Sequence, residues 1–165
     1  MTSSQIRPAA RVVLLDEQGR VLLIEIDDPT VVNLADPSPG PRWVTPGGGV
    51  DAGERHEDAA RRVLWEETGI KAAIGPWMWS AEARLATPRG MWLLPTRFYL
   101  ARAVSPTVTL DHLVDDAERA AYRGHRWWTV ADIRVSPDHF VPGGLADLLA
   151  PLVAGELPTT PILLP

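Results

Sequence analysis

The apolar positions of this chain follow two patterns, and the clearer one predicts a helix. Between residues 55 and 68 there is no proline or glycine, good helix formers dominate, and Ala59, Ala60, Val63 and Leu64 recur at three-to-four spacing. Gly69 follows at the place where a left-handed C-terminal cap is wanted. Ahead of the helix, Gly47, Gly48 and Gly49 read as a glycine-rich turn that leads through Val50, Asp51, Ala52 and Gly53. Residues 48–70 thus read as loop, helix, loop, and the remaining elements are arranged around them.

The second pattern is that of strands. Residues 11–15 and 21–26 are aliphatic, β-branched runs separated by Asp16-Glu17-Gln18-Gly19, which predicts a hairpin of two core strands with a purely scaffolding role. Residues 27–42 hold four prolines and a glycine without periodicity, so they are either a substrate-edge segment or a plain connector. Residues 43–46 read as a short strand delivering the glycines. Residues 71–83 and 91–103 look like strands broken by Gly75-Pro76 and Pro95 and joined at Thr87-Pro88-Arg89-Gly90, with Pro95 at an edge or bulge. Trp77, Trp79 and Trp92 on these strands either line a pocket for a flat group or sit in the core.

Residues 111–126 form a charged connection to a strand beginning at His125. Thr129 to Asp132 has the form of a capping box with Asp in place of Glu, opening a short helical turn. Residues 145–153 read as an apolar helix carrying Pro151 late, and the proline-rich tail ends in Ile162-Leu163-Leu164, apolar enough to dock on the domain or on a second subunit, which leaves a homodimer open.

Composition narrows the function. At 165 residues, 45% hydrophobic and 22% charged, the chain reads as one globular domain over residues 1–165. A net charge of -5 argues against a nucleic-acid polymer as partner and leaves small anionic ligands, met through a metal. With no cysteine, thiolate chemistry is excluded, and without a long apolar run the expectation is a cytoplasmic protein that does not span a membrane.

The charges on the helix carry the candidate chemistry. Glu54, Glu57 and Asp58 lie in or beside the first turn, where the dipole favours them, but Glu66 and Glu67 lie in the last turn, where it does not. A solvated acidic end is the plain reading. The alternative is a divalent-metal site, because the glycines can bring a backbone carbonyl near Gly47 to the same point as the two carboxylates, and clustered oxygens suit Mg²⁺ or Mn²⁺.

This stretch resembles the Nudix box, G-x5-E-x7-R-E-U-x-E-E-x-G-U with U aliphatic. Gly48, Glu54, Arg62, Leu64, Glu66, Glu67, Gly69 and Ile70 fall on its fixed positions. One position departs: the box has Glu where this chain has Val63, on the same helix face as Glu66 and Glu67. In the family that Glu is a metal ligand and in some members the general base.

The resemblance implies an α/β fold, an α/β/α sandwich with a mixed sheet between helices. It also implies metal-dependent hydrolysis of a diphosphate linkage in a small nucleoside diphosphate derivative. Glu66 and Glu67 would hold one ion with the Gly47 carbonyl, Glu54 would support it through water or fix the loop, and Arg62 would orient the carboxylates. A family carboxylate from a loop ahead of a Trp-containing strand is matched best by Glu118, with Asp115 and Asp116 behind it, as base or further ligand. The plain alternative for Glu118 is a solvated helix residue, and His112 and His125 receive no role. Val63 supports a rival function, a catalytically weak binding or sensor module for a nucleotide or ADP-ribose-like ligand.

Overall fold

The computed structural model describes residues 3–165. The chain begins with two strands in line, β1 (Gln5–Ile6) and β2 (Ala9–Leu15), and turns back into β3 (Val21–Ile26). Asp16 makes that turn: its carboxylate accepts from the N–H groups of Gln18 and Arg20 at 2.9 and 2.8 Å and from Arg20 Nε at 2.7 Å. Short strands β4 (Val32–Asn33), β5 (Arg42–Val44) and β6 (Gly47–Gly49) lead to helix α1 (His56–Thr68), and a long hairpin of β7 (Ile74–Thr87) and β8 (Gly90–Arg102) follows. The C-terminal part adds α2 (Asp116–Ala121), β9 (Tyr122–Trp128), α3 (Val130–Val135), β10 (Phe140–Val141), α4 (Leu145–Val153) and β11 (Ile162–Leu163).

These strands form one mixed sheet, with β2 parallel to β8, and with β3 antiparallel to β5 and β9. The unbroken apolar runs of β2 and β3 follow from burial on both faces. Ala10, Val12, Leu14 and Leu22 face Ala59, Ala60 and Leu64 of α1, while Val13, Leu15, Val21 and Leu23 join Ile133 of α3 and Leu145, Leu149 and Leu152 of α4 on the other side. The architecture is the expected α/β/α sandwich.

Several local expectations need correction. Pro95 lies in the middle of a continuous β8, not at an edge, because β1 ends opposite Leu93 and β2 begins opposite Thr96, so the proline stands at the handover between them. Gly75-Pro76 does not break β7 either; register shifts between Ile74, Trp77 and Trp79 absorb it. The proline-rich segment contains β4, which pairs with Leu85 and Ala86 of β7, and it is pinned further along by the contact of Asp36 Oδ2 with His139 Nε2. β9 starts at Tyr122, three residues before the expected His125.

The tryptophans go to different places, with Trp79 bordering a cavity beside α4 and Trp77 lining another with Arg97 and His56. Trp79 is core, Trp77 is exposed beneath the Arg97 guanidinium, and Trp92 lies under Arg7. Thr129 does cap α3, accepting from Asp132 N–H at 3.1 Å, but the Asp132 carboxylate turns to Arg126 instead of closing the box. The tail adds β11 to the edge of β7, with Leu164 buried and its N–H on the Ser80 carbonyl at 2.8 Å.

Candidate active site

The three glycines form a strand, not the turn expected of them. Gly47, Gly48 and Gly49 stand in register with Arg11, Ala10 and Ala9 of β2. Glycine is required at 47, where a Cβ would overlap Arg11 Cγ and lie 2.8 Å from the Ala10 carbonyl oxygen, while 48 is tight, 3.1 Å from Val63 Cγ1, and 49 is open to a side chain. α1 therefore lies directly against β6. At its far end Gly69, with φ of 69°, donates its N–H to the Trp65 carbonyl and ends the helix as expected.

This close approach sets the last turn of α1 beside the glycine backbone. The Gly47 N–H donates to Glu67 Oε2 at 2.9 Å. No donor among the described residues reaches Glu67 Oε1. Burial pushes the Glu67 carboxyl up to about 8, against the opposing pull of the Arg11 charge and the Gly47 N–H. The residue is half-buried by accessible surface, and Oε1 stays open to solvent, so the carboxylate has one oxygen tied to the glycine backbone and one free to meet a cation.

Arg62 ties the loop to the helix. Its Nε and Nη2 fork onto Glu54 at 3.0 and 2.8 Å, Nη2 also donates to the Gly49 carbonyl at 2.8 Å, and Nη1 reaches both Glu66 oxygens at 3.3 Å. The Glu54 hydrogen bonds raise the guanidinium pKa, and the Arg62 hydrogen bond holds Glu54 below the usual carboxylate range. Glu54 also accepts from Asp51 N–H at 3.0 Å, so of its two expected roles the geometry favours fixing the loop. Glu66, tied by longer bonds and with its side chain 39% exposed, keeps oxygen capacity for another partner.

Replacing Arg62 by Lys keeps the charge but removes the fork, so Glu54, Gly49 and Glu66 can no longer be held at once. The expected outcome is a loss of about 1–2 kcal/mol in stability, near the cost of one or two charge-assisted hydrogen bonds, read by thermal melting.

Glu118 is solvent-exposed on α2, whose first turn is capped by Asp115 accepting the Glu118 N–H at 2.9 Å. Its carboxyl is nonetheless raised, first by partial desolvation and then by the negative charges of Asp115 and Glu66. The Glu118 charge in turn raises Glu67. The segment before α2 is fastened to the end of α1 by Thr109 N–H on the Thr68 carbonyl at 2.9 Å and by His112 stacked on Trp65 at 4.0 Å. His112, to which the sequence assigns nothing, thus helps bring Glu118 to the carboxylate end of the helix. His125 pairs with Tyr122 at 2.7 Å, outside this group.

Two further residues define the site. Val63, 3% exposed, fills the space beneath Gly48 where the box carries a carboxylate. Arg11, expected to be scaffold, sends Nη1 to the Thr45 carbonyl at 2.6 Å and its charge acts on Glu67. Its signal was available: a lone cation opening an apolar run that is buried on both faces. Among the described residues no three His, Asp or Glu side chains converge as a ready metal cluster.

The model of the NUDIX domain family matches residues 5–148. The chain belongs to this family. The Nudix box is therefore the segment from Gly48 to Ile70, and Val63 is its one departure. Over 66 residues the chain is 41% identical to an RNA pyrophosphohydrolase of Cereibacter sphaeroides, covering 40% of this chain and 35% of that protein. Over 77 residues it is 40% identical to the nucleoside triphosphatase NudI of Escherichia fergusonii, covering 45% of this chain and 50% of that one. The chain thus spans half or less of the length of these relatives.

Solved structures extend the likeness across the Nudix fold. A MutT protein from Methanosarcina mazei superposes with a TM-score of 0.66 at 17% identity, covering 90% of this chain and 94% of that one. A MutT NUDIX hydrolase from Burkholderia pseudomallei gives 0.60 at 24% identity, covering 89% and 99%.

Proposed function

We propose that the chain is a metal-dependent pyrophosphohydrolase that cleaves a diphosphate linkage in a small nucleoside diphosphate derivative, acting as a single Nudix domain over residues 1–165. The observation that carries this reading is the half-buried Glu67 carboxyl, held by the Gly47 N–H at Oε2 with Oε1 open to solvent and with Glu66 beside it on the helix. The donor set fits one ion, with Glu67 and Glu66 as carboxylate ligands and the Gly47 carbonyl as a third oxygen. Mg²⁺ commonly takes no more than two protein carboxylates. When bound, Mg²⁺ or Mn²⁺ would polarise a phosphoryl oxygen and lower the pKa of a nearby water.

The chain supplies the rest. Arg62 fixes Glu66 and, through Glu54 and the Gly49 carbonyl, holds the loop against the helix. Glu118 takes the proton of the attacking water as a phosphoryl P–O bond forms and the bridging P–O bond breaks; partial desolvation and the charges of Asp115 and Glu66 make it a stronger proton acceptor than a free glutamate. The bridging oxygen leaves with the departing phosphate. Val63 favours a second reading, a binding module that keeps a pocket but turns over poorly.

Small-molecule substrates agree with the net charge of -5, and among the described residues no helix is long and apolar enough to cross a membrane. Because relatives are named RNA pyrophosphohydrolase and nucleoside triphosphatase, the test panel includes nucleoside triphosphates, nucleoside diphosphate conjugates and an RNA with a 5′-polyphosphate end. Product release is expected with Mg²⁺ or Mn²⁺ on a small nucleotide and is expected to stop when EDTA is added. Turnover that survives EDTA, or binding without turnover across the panel, would overturn the hydrolase reading.

A further inference from the structure

Arg11 is the one basic residue in β2, a strand otherwise built from alanine, valine and leucine. Burial in such a place is costly for a cation unless its donors are used. A guanidinium carries five N–H groups, and this one makes a single hydrogen bond, from Nη1 to the Thr45 carbonyl. Among the described residues it has no carboxylate at ion-pair distance, although the Glu67 charge acts on it. Part of its surface stays accessible.

Gly47 leaves room for the stem of this side chain, whose Nη1 is then held by the Thr45 carbonyl. Arg11 Cγ occupies the space that a side chain at 47 would need, while the Gly47 N–H holds Glu67. The fixed cation and the candidate ion ligand therefore border the same glycine. Arg62 offsets one of the two carboxylate charges it binds, Glu54 and Glu66, and position 63 adds none because it is a valine, so Arg11 is a second cation at an otherwise acidic site. An anion entering beside Glu67 would meet a planar fork suited to phosphate oxygens.

We propose that Arg11 is a substrate-binding residue that donates two or more N–H groups to a phosphate of the diphosphate. This rests on the reading of the site as one for diphosphates, and it adds a cation from the chain itself to the charge that a bound ion would bring. The backbone of β2 already closes the space at 47, with the Ala10 carbonyl oxygen 2.8 Å from where a Cβ would stand, and a larger residue there would also push on the stem of the arginine.

The test uses the full chain with inorganic pyrophosphate in EDTA, followed by calorimetry at low ionic strength. Wild type should bind, Arg11→Gln should bind about 10- to 100-fold more weakly, the range lost with a charge-assisted hydrogen-bonded pair, and Arg11→Lys should fall between them. A folded Arg11→Gln protein with wild-type affinity overturns the proposal, as does a wild type without affinity. If Arg11→Gln does not fold, modification of wild-type arginines by phenylglyoxal decides: pyrophosphate should protect Arg11, and equal labelling with and without it overturns the proposal. Because the readout needs neither metal nor turnover, its failure is distinguishable from failure of the hydrolase reading.

Discussion

Glu67→Gln is expected to lower Mg²⁺-dependent turnover by about 10³-fold while leaving the chain folded, in line with removal of a group on which charge stabilisation depends. The amide is nearly isosteric and its oxygen can still accept the Gly47 N–H, so the contact between α1 and β6 survives. What is lost is the carboxylate charge. Initial rates at saturating substrate beside a thermal melt check both halves, and a folded variant with wild-type rate would remove Glu67 from the proposed ion site.

The same residue sets a pH dependence of stability. In the folded chain its carboxyl is raised from 4.5 to about 8, so between those values the folded state holds a proton that the unfolded state has released. Stability from this group is therefore fully present below about 4.5, falls as pH rises towards 8, and levels off beyond. Metal-free wild type should melt at lower temperature as pH climbs through this window, Glu67→Gln should lack that component, and Mg²⁺, which favours the ionised carboxylate, should offset it. Identical slopes for the wild type and the variant would show that the carboxyl is not desolvated as described.

Helix α1, its Gly69 cap and the placement of Glu66 and Glu67 are legible in the sequence, because helical periodicity, capping and box spacing are local properties. What escaped was non-local. Whether Gly47, Gly48 and Gly49 turn or pair depends on β2 lying alongside, and whether Pro95 ends a strand depends on where β1 stops. Alternation along residues 11–15 says which face a side chain leaves from, but not where the end of a long one arrives. Arg11 reads as scaffold for that reason, although a cation inside a doubly covered strand already marks it. Glu118 is an intermediate case: its distance along the chain from the box is uninformative, and only the anchoring of Thr109 and His112 on α1 brings it near Glu66.

Val63→Glu should separate the two functional readings. Val63 is 3% exposed and packed beneath Gly48, so a carboxylate there must either remain in apolar surroundings or swing towards Glu66 and Glu67, adding repulsion. Either way the metal-free variant should lose about 1–3 kcal/mol, the usual cost of a poorly served buried polar group, which for a chain of this size lowers the melting temperature by roughly 2–12 °C. An ion held at Glu67 would use the new carboxylate as a further ligand, so Mg²⁺ should restore stability more in the variant than in the wild type. Turnover should rise by about tenfold or more if the missing ligand limits the rate. A silent wild type with an active variant would establish a binding module that has lost its chemistry at one position. Equal stabilisation of both proteins by Mg²⁺ would mean that the side chain at 63 does not reach the ion, and that the limit on catalysis lies elsewhere in the site.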